Sequence, residues 1–107
     1  MNEKHCIVLN QEPQHLGVRP CVDYTLKSAS QIFGSSVLAV ILTGMGMDGT
    51  QGAILVKAKG GRVFAQDEAT SAVYGMPQSV YKAGCVEKVI PLNRIAQKIT
   101  EACTNQE

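Results

Sequence analysis

Residues 37–61 read VLAVILTGMGMDGTQGAILVKAKGG, and the fold of the chain turns on how this stretch divides. Its opening run, VLAVILT, is almost continuously aliphatic and β-branched, the composition of a strand covered on both faces in a parallel sheet. A glycine loop follows. Residues 50–59 then predict a helix with Ile54, Leu55 and Ala58 on its apolar face, stopped by Gly60 and Gly61. Strand, loop and helix in this order begin a βαβ unit.

The flanking sequence continues the pattern. RVFAQ (62–66) predicts a second strand that ends at Asp67 and Glu68. EATSAVYGMPQSVYKAG (68–84) is turn-rich with one or two short helical pieces, Pro77 starting the second, and CVEKVI (85–90) predicts a third strand. Pro91 opens a last helix striped by Leu92, Ile95, Ala96, Ile99, Ala102 and Cys103. Upstream, Pro20 suits the first turn of a helix whose Val22, Leu26, Ala29 and Phe33 share one face before Gly34 stops it. HCIVL (5–9) has the composition of a further strand, and residues 10–19 read as a loop. The order βαβαβα over residues 37–104 predicts an α/β fold, an open, mainly parallel three-layer αβα sheet. At 107 residues the chain is read as a single partial domain.

Composition excludes several functions. The chain is 45% hydrophobic and 18% charged, with a formal charge of +1, as in an ordinary globular domain without electrostatic bias towards nucleic acid or anionic membranes. Two Phe, three Tyr and no Trp leave little for a base-stacking surface. No apolar run approaches a membrane span, and MNEKHCIVLN lacks a secretory pattern, so no membrane insertion and a cytoplasmic location are expected. Cys6, Cys21, Cys85 and Cys103 form no CxxC pair and are read as buried, reduced thiols rather than metal ligands or disulfides. His5 and His15 stand beside no partner motif.

Chemistry is concentrated at residues 42–49, LTGMGMDG. In an open parallel sheet this loop and residues 66–68 both fall at carboxyl ends of strands, where sites form. Gly44, Gly46 and Gly49 spell GxGxxG, and Asp67 and Glu68 lie 18 and 19 positions beyond Gly49, near the spacing for a ribose-binding carboxylate. Against a dinucleotide, Asp48 would set a full negative charge where the helix N-terminus should receive a pyrophosphate, a repulsion of about 1–4 kcal/mol. Two other readings remain. Asp48 can cap the following helix, or it can be the fixed carboxylate that orients a catalytic histidine.

Three stretches resemble one family. RPCVD (19–23), LTGMGMDG (42–49) and AQDEATSAVYGMP (65–77) occur in the order found in the C-terminal part of the catalytic domain of bacterial chemotaxis protein-glutamate methylesterases, over about residues 16–104. The resemblance implies hydrolysis of glutamate methyl esters on the cytoplasmic domains of chemoreceptors, with glutamine deamidation in some members. It also implies a Ser-His-Asp triad without metal or organic cofactor. On this basis Asp48 is the triad aspartate, and Met45 offers its backbone N–H to the oxyanion region. Met47 departs from the Asn common in the family.

The family's glycine-rich serine turn and its histidine motif do not occur in the 107 residues, nor does a receiver domain. Ser28, Ser30, Ser35, Ser36, Ser71 and Ser79 lie outside any such turn. The expectation is a C-terminal methylesterase portion, inactive alone, whose exposed sheet edge pairs in a homodimer. Alternatives are a dinucleotide- or phosphate-binding module and a noncatalytic receptor-binding domain.

Overall fold

A computed structural model describes residues 21–104, so the strand expected at residues 5–9 and both histidines lie outside the described residues. Helix α1 (Val22–Phe33) leads through a 3-10 turn into strand β1 (Leu38–Ile41), followed by α2 (Thr50–Ala58), β2 (Arg62–Gln66), α3 (Gly75–Lys82), β3 (Lys88–Ile90) and α4 (Ile95–Thr104). The strands are parallel in the order β1-β2-β3, with Ile41 beside Ala65 and Gln66 beside Ile90. The α/β class and the parallel sheet agree with the sequence reading.

The period-two geometry of the strands divides the core into two layers. Ala39, Ile41, Val63 and Ala65 point to one face and pack with Ala53 and Val56 of α2, Val80 of α3 and Leu26 of α1. Phe64, Leu38 and Val40 point to the other face, where Ile90 and the α4 residues Ile95, Ile99 and Ala102 cover them. This is the three-layer arrangement.

Boundaries and faces differ in informative ways. β1 is shorter than VLAVILT because Thr43 leaves the ladder: its N–H donates to Gln66 Oε1 at 2.8 Å and its hydroxyl to Val73 O at 2.9 Å. β3 keeps only the last part of CVEKVI, and Pro91 opens a 3-10 turn (Leu92–Arg94) before α4. α3 begins at Gly75, with Pro77 buried in its first turn.

The expected face of α2 is wrong. Ile54 and Leu55 are 45% and 38% exposed and Ala58 is exposed, whereas Gly52, Ala53 and Val56 are buried. The helix packs by its small residues because α1 crosses it closely: a Cβ on Gly52 would lie 2.6 Å from Leu26 Cβ. Phe33 likewise turns outward on α1, while Asp23 and Ser30 are buried. On the α4 side Leu92, Ala96 and Cys103 are exposed, so Cys103 departs from the buried-thiol reading that holds for Cys21 and Cys85.

Candidate active site

Parallel strands bring their carboxyl ends to one edge, where residues 42–49 and 67–74 lie side by side. Gly44 N donates to Val73 O at 2.9 Å, and Met76 N donates to Gly44 O at 2.8 Å. Thr43 Oγ1 also accepts from Val73 N at 2.8 Å. Below this seam sits Gln66, only 1% exposed, whose Oε1 accepts from Thr43 N and whose Nε2 donates to Thr70 O at 2.7 Å. One buried amide thus ties the tips of β1 and β2 to the loop that follows, and its buried polar atoms are paired.

The aspartate loop is anchored by an exchange of carboxylates between helices. Cys21 and Gly49 are the N-cap residues of α1 and α2, and neither offers a capping side chain. The orphan amides of α1 are instead met by Asp48: Val22 N donates to Oδ2 at 2.7 Å and Asp23 N to Oδ1 at 2.9 Å. Those of α2 are met by Asp23, whose Oδ1 accepts from Gly49 N at 3.0 Å and Gly52 N at 2.7 Å. Asp48 is therefore a cap, but of the preceding helix rather than the following one. Each carboxylate also lies at the N-terminal end of a helix, towards which the free backbone N–H groups point.

This pairing decides the glycine-loop question. Gly49 N and Gly52 N, which a pyrophosphate would require, already bond a buried carboxylate. Gly46 and Gly49 have φ of 91° and 101°, conformations that suit glycine, and they turn the chain sharply on either side of Asp48. The loop delivers an aspartate instead of receiving an anion.

Chemically, an ionised carboxylate has about four lone-pair sites, so two backbone donors leave Asp48 able to accept an imidazole N–H. Met45 sits at the loop crest with its residue surface 84% exposed. Its N–H has no acceptor among the described residues, although Gly44 on one side is fastened through both N–H and C=O. Ser30 and Ser71 are engaged locally, with Lys27 O and Asp67 O, and Ser79 on α3 shares a hydrogen bond with the Thr50 hydroxyl on α2.

The fold agrees with that of known proteins. A family model described as CheB methylesterase matches residues 1–99. The chain belongs to the CheB methylesterase family. It is 43% identical over 99 residues to the protein-glutamate methylesterase/protein-glutamine glutaminase of Pyrococcus horikoshii, covering 92% of this chain and 27% of that protein. It is 51% identical over 84 residues to a Vibrio cholerae protein of the same designation, covering 78% of this chain and 22% of the relative. The crystal structure of the Thermotoga maritima CheB methylesterase catalytic domain superposes with a TM-score of 0.84 at 47% identity, covering 85% of this chain and 48% of that one. The chain thus spans about a quarter of these curated CheB relatives and about half of the solved catalytic domain.

The sequence singles out Asp48 and Met45 and gives no role to Asp23 or Gln66. Asp23 was visible only as the last residue of RPCVD. A polar residue in the first turn of a helix is normally solvated, and its partner is 26 residues away at Gly49.

Proposed function

We propose that this chain contributes the carboxylate arm of a Ser-His-Asp ester hydrolase that demethylates glutamate side chains on chemoreceptor cytoplasmic domains, and that deamidates glutamines where the receptor presents them. It corresponds on this reading to the C-terminal portion of the catalytic domain, acting in the cytoplasm. The observation that carries the reading is the two-point fixation of Asp48, at 2.7 and 2.9 Å from successive backbone nitrogens of α1.

A carboxylate so held keeps a histidine in one tautomer and stabilises the imidazolium formed when that histidine takes the serine proton. The serine oxygen adds to the ester carbonyl, and the negative charge developing on the carbonyl oxygen meets the Met45 N–H. Collapse expels methanol, protonated by the imidazolium, and water then releases the glutamate carboxylate by the same steps. The serine and histidine come from outside the described residues. The 107-residue chain by itself is expected to release no methanol from methylated receptor.

The test is a chimera in which residues 21–104 replace the matching part of the Thermotoga maritima catalytic domain. Asp48→Asn there is expected to lower kcat by up to about 10⁴, the loss known for the equivalent change in a serine protease, with KM little altered. Near-parental turnover would reduce Asp48 to a helix cap.

A further inference from the structure

Asp23 is more deeply buried than Asp48, at 5% exposure, and the chemistry above makes no use of it. Its contacts close a ring. Asp23 N donates to Asp48 Oδ1, the chain runs from Asp48 to Gly49, and Gly49 N donates back to Asp23 Oδ1. Gly52 N joins the same oxygen from the first turn of α2. One residue therefore holds the side chain of Asp48 and also the peptide that follows it.

That second hold answers a weakness in the loop. Gly46 and Gly49, with φ of 91° and 101°, allow the chain to reach the crest, and the same freedom would let Asp48 swing. Met45 and Met47, 84% and 58% exposed, offer little packing to prevent it. Capping α2 would need only the bonds to Gly49 and Gly52. Donation of Asp23 N to the opposite carboxylate is what converts two caps into one brace.

We propose that Asp23 is a positioning residue for the ester hydrolysis, fixing Gly49 so that the Asp48 carboxylate plane stays in register with its histidine. This rests on the role proposed for Asp48. A displacement of about 1 Å in such a constellation costs about 10²-fold in rate.

Two measurements test it. In the 107-residue chain, Asp23→Ala is expected to speed amide-hydrogen exchange at Val22, the donor to Asp48 Oδ2, by about tenfold relative to the β2 amides of Phe64 and Ala65. Asp23→Asn, which keeps an Oδ1 acceptor for Gly49 and Gly52, is expected to leave that ratio nearly unchanged. In the chimera, Asp23→Ala should lower kcat about 10²-fold with KM unchanged, and Asn should restore most of it. Unchanged Val22 exchange, parental kcat in the alanine variant, or equal losses in Ala and Asn would each overturn the proposal. Should the alanine variant not fold, Asp23→Glu keeps the charge but displaces the oxygen by one methylene. It should lose kcat similarly, and parental kcat there would also overturn the assignment. Asp48→Asn in the same chimera separates the two ideas: full turnover there removes the role of Asp48, whereas its loss beside a fully active Asp23→Ala removes only the role of Asp23.

Discussion

A methyl group on residue 75 would lie 3.0 Å from Gly46 N and 3.1 Å from Gly44 O, both backbone atoms of the aspartate loop. Neither can rotate away. Gly75→Ala should therefore destabilise the chain by about 1–3 kcal/mol, measured by urea unfolding, as in other overpacked sites. Gly52→Ala poses a contest. Alanine gains about 1 kcal/mol of helix propensity, but its Cβ would meet Leu26 Cβ at 2.6 Å, too close for any real contact. The clash should win and lower the denaturation midpoint; a rise would show that α1 can move off α2 without loss. At this scale Asp48 was legible because a charge inside a glycine turn is hard to reconcile with phosphate. Its actual donors were not, since a carboxylate bonding amides 25 and 26 positions away leaves no local pattern.

Among the elements, apolar runs revealed the strands well: RVFAQ is β2 in full and VLAVILT contains β1, which ends before Thr43, where the Gln66 side chain takes the N–H. Helix faces were harder. Ile54 and Leu55 outweigh Gly52 and Ala53 on any hydropathy count, yet small residues are what a close helix crossing selects. The end of β2 carries a similar lesson, because Gln66 read as an ordinary terminal strand residue and is instead the buried tie between the two loops that follow β1 and β2. Gln66→Leu keeps the volume and strips the Thr43 N–H and Thr70 C=O of partners. A loss of about 1–3 kcal/mol is expected in chemical unfolding, and stability equal to the parent would mean that water replaces the amide.

For the molecule as a whole, two titrating groups shape stability in opposite directions. The Arg62 guanidinium, 2.7 and 3.1 Å from the Glu87 carboxylate, holds that carboxyl below its ordinary value. Its contribution is present above about pH 4.3 and fades as pH falls through the lowered folded value. Burial pushes the Cys85 thiol up. That contribution is complete below about pH 8.5 and fades as pH rises through the raised folded value. Unfolding free energy should decline above pH 8.5 more steeply in the parent than in Cys85→Ala, by at most about 1.4 kcal/mol per pH unit. Parallel profiles would remove Cys85 from the account. In the native chain, thiol reagents should modify exposed Cys103 well before buried Cys21 and Cys85; simultaneous labelling, followed by peptide mass spectrometry, would contradict the packing. The crossed carboxylates also set a limit on how far the protein can be shortened. A version starting at Val37 would still contain the three described strands, yet Asp48 would have lost its donors at Val22 and Asp23, and Gly49 its acceptor. The sequence that holds the three described strands is shorter than the sequence the site requires.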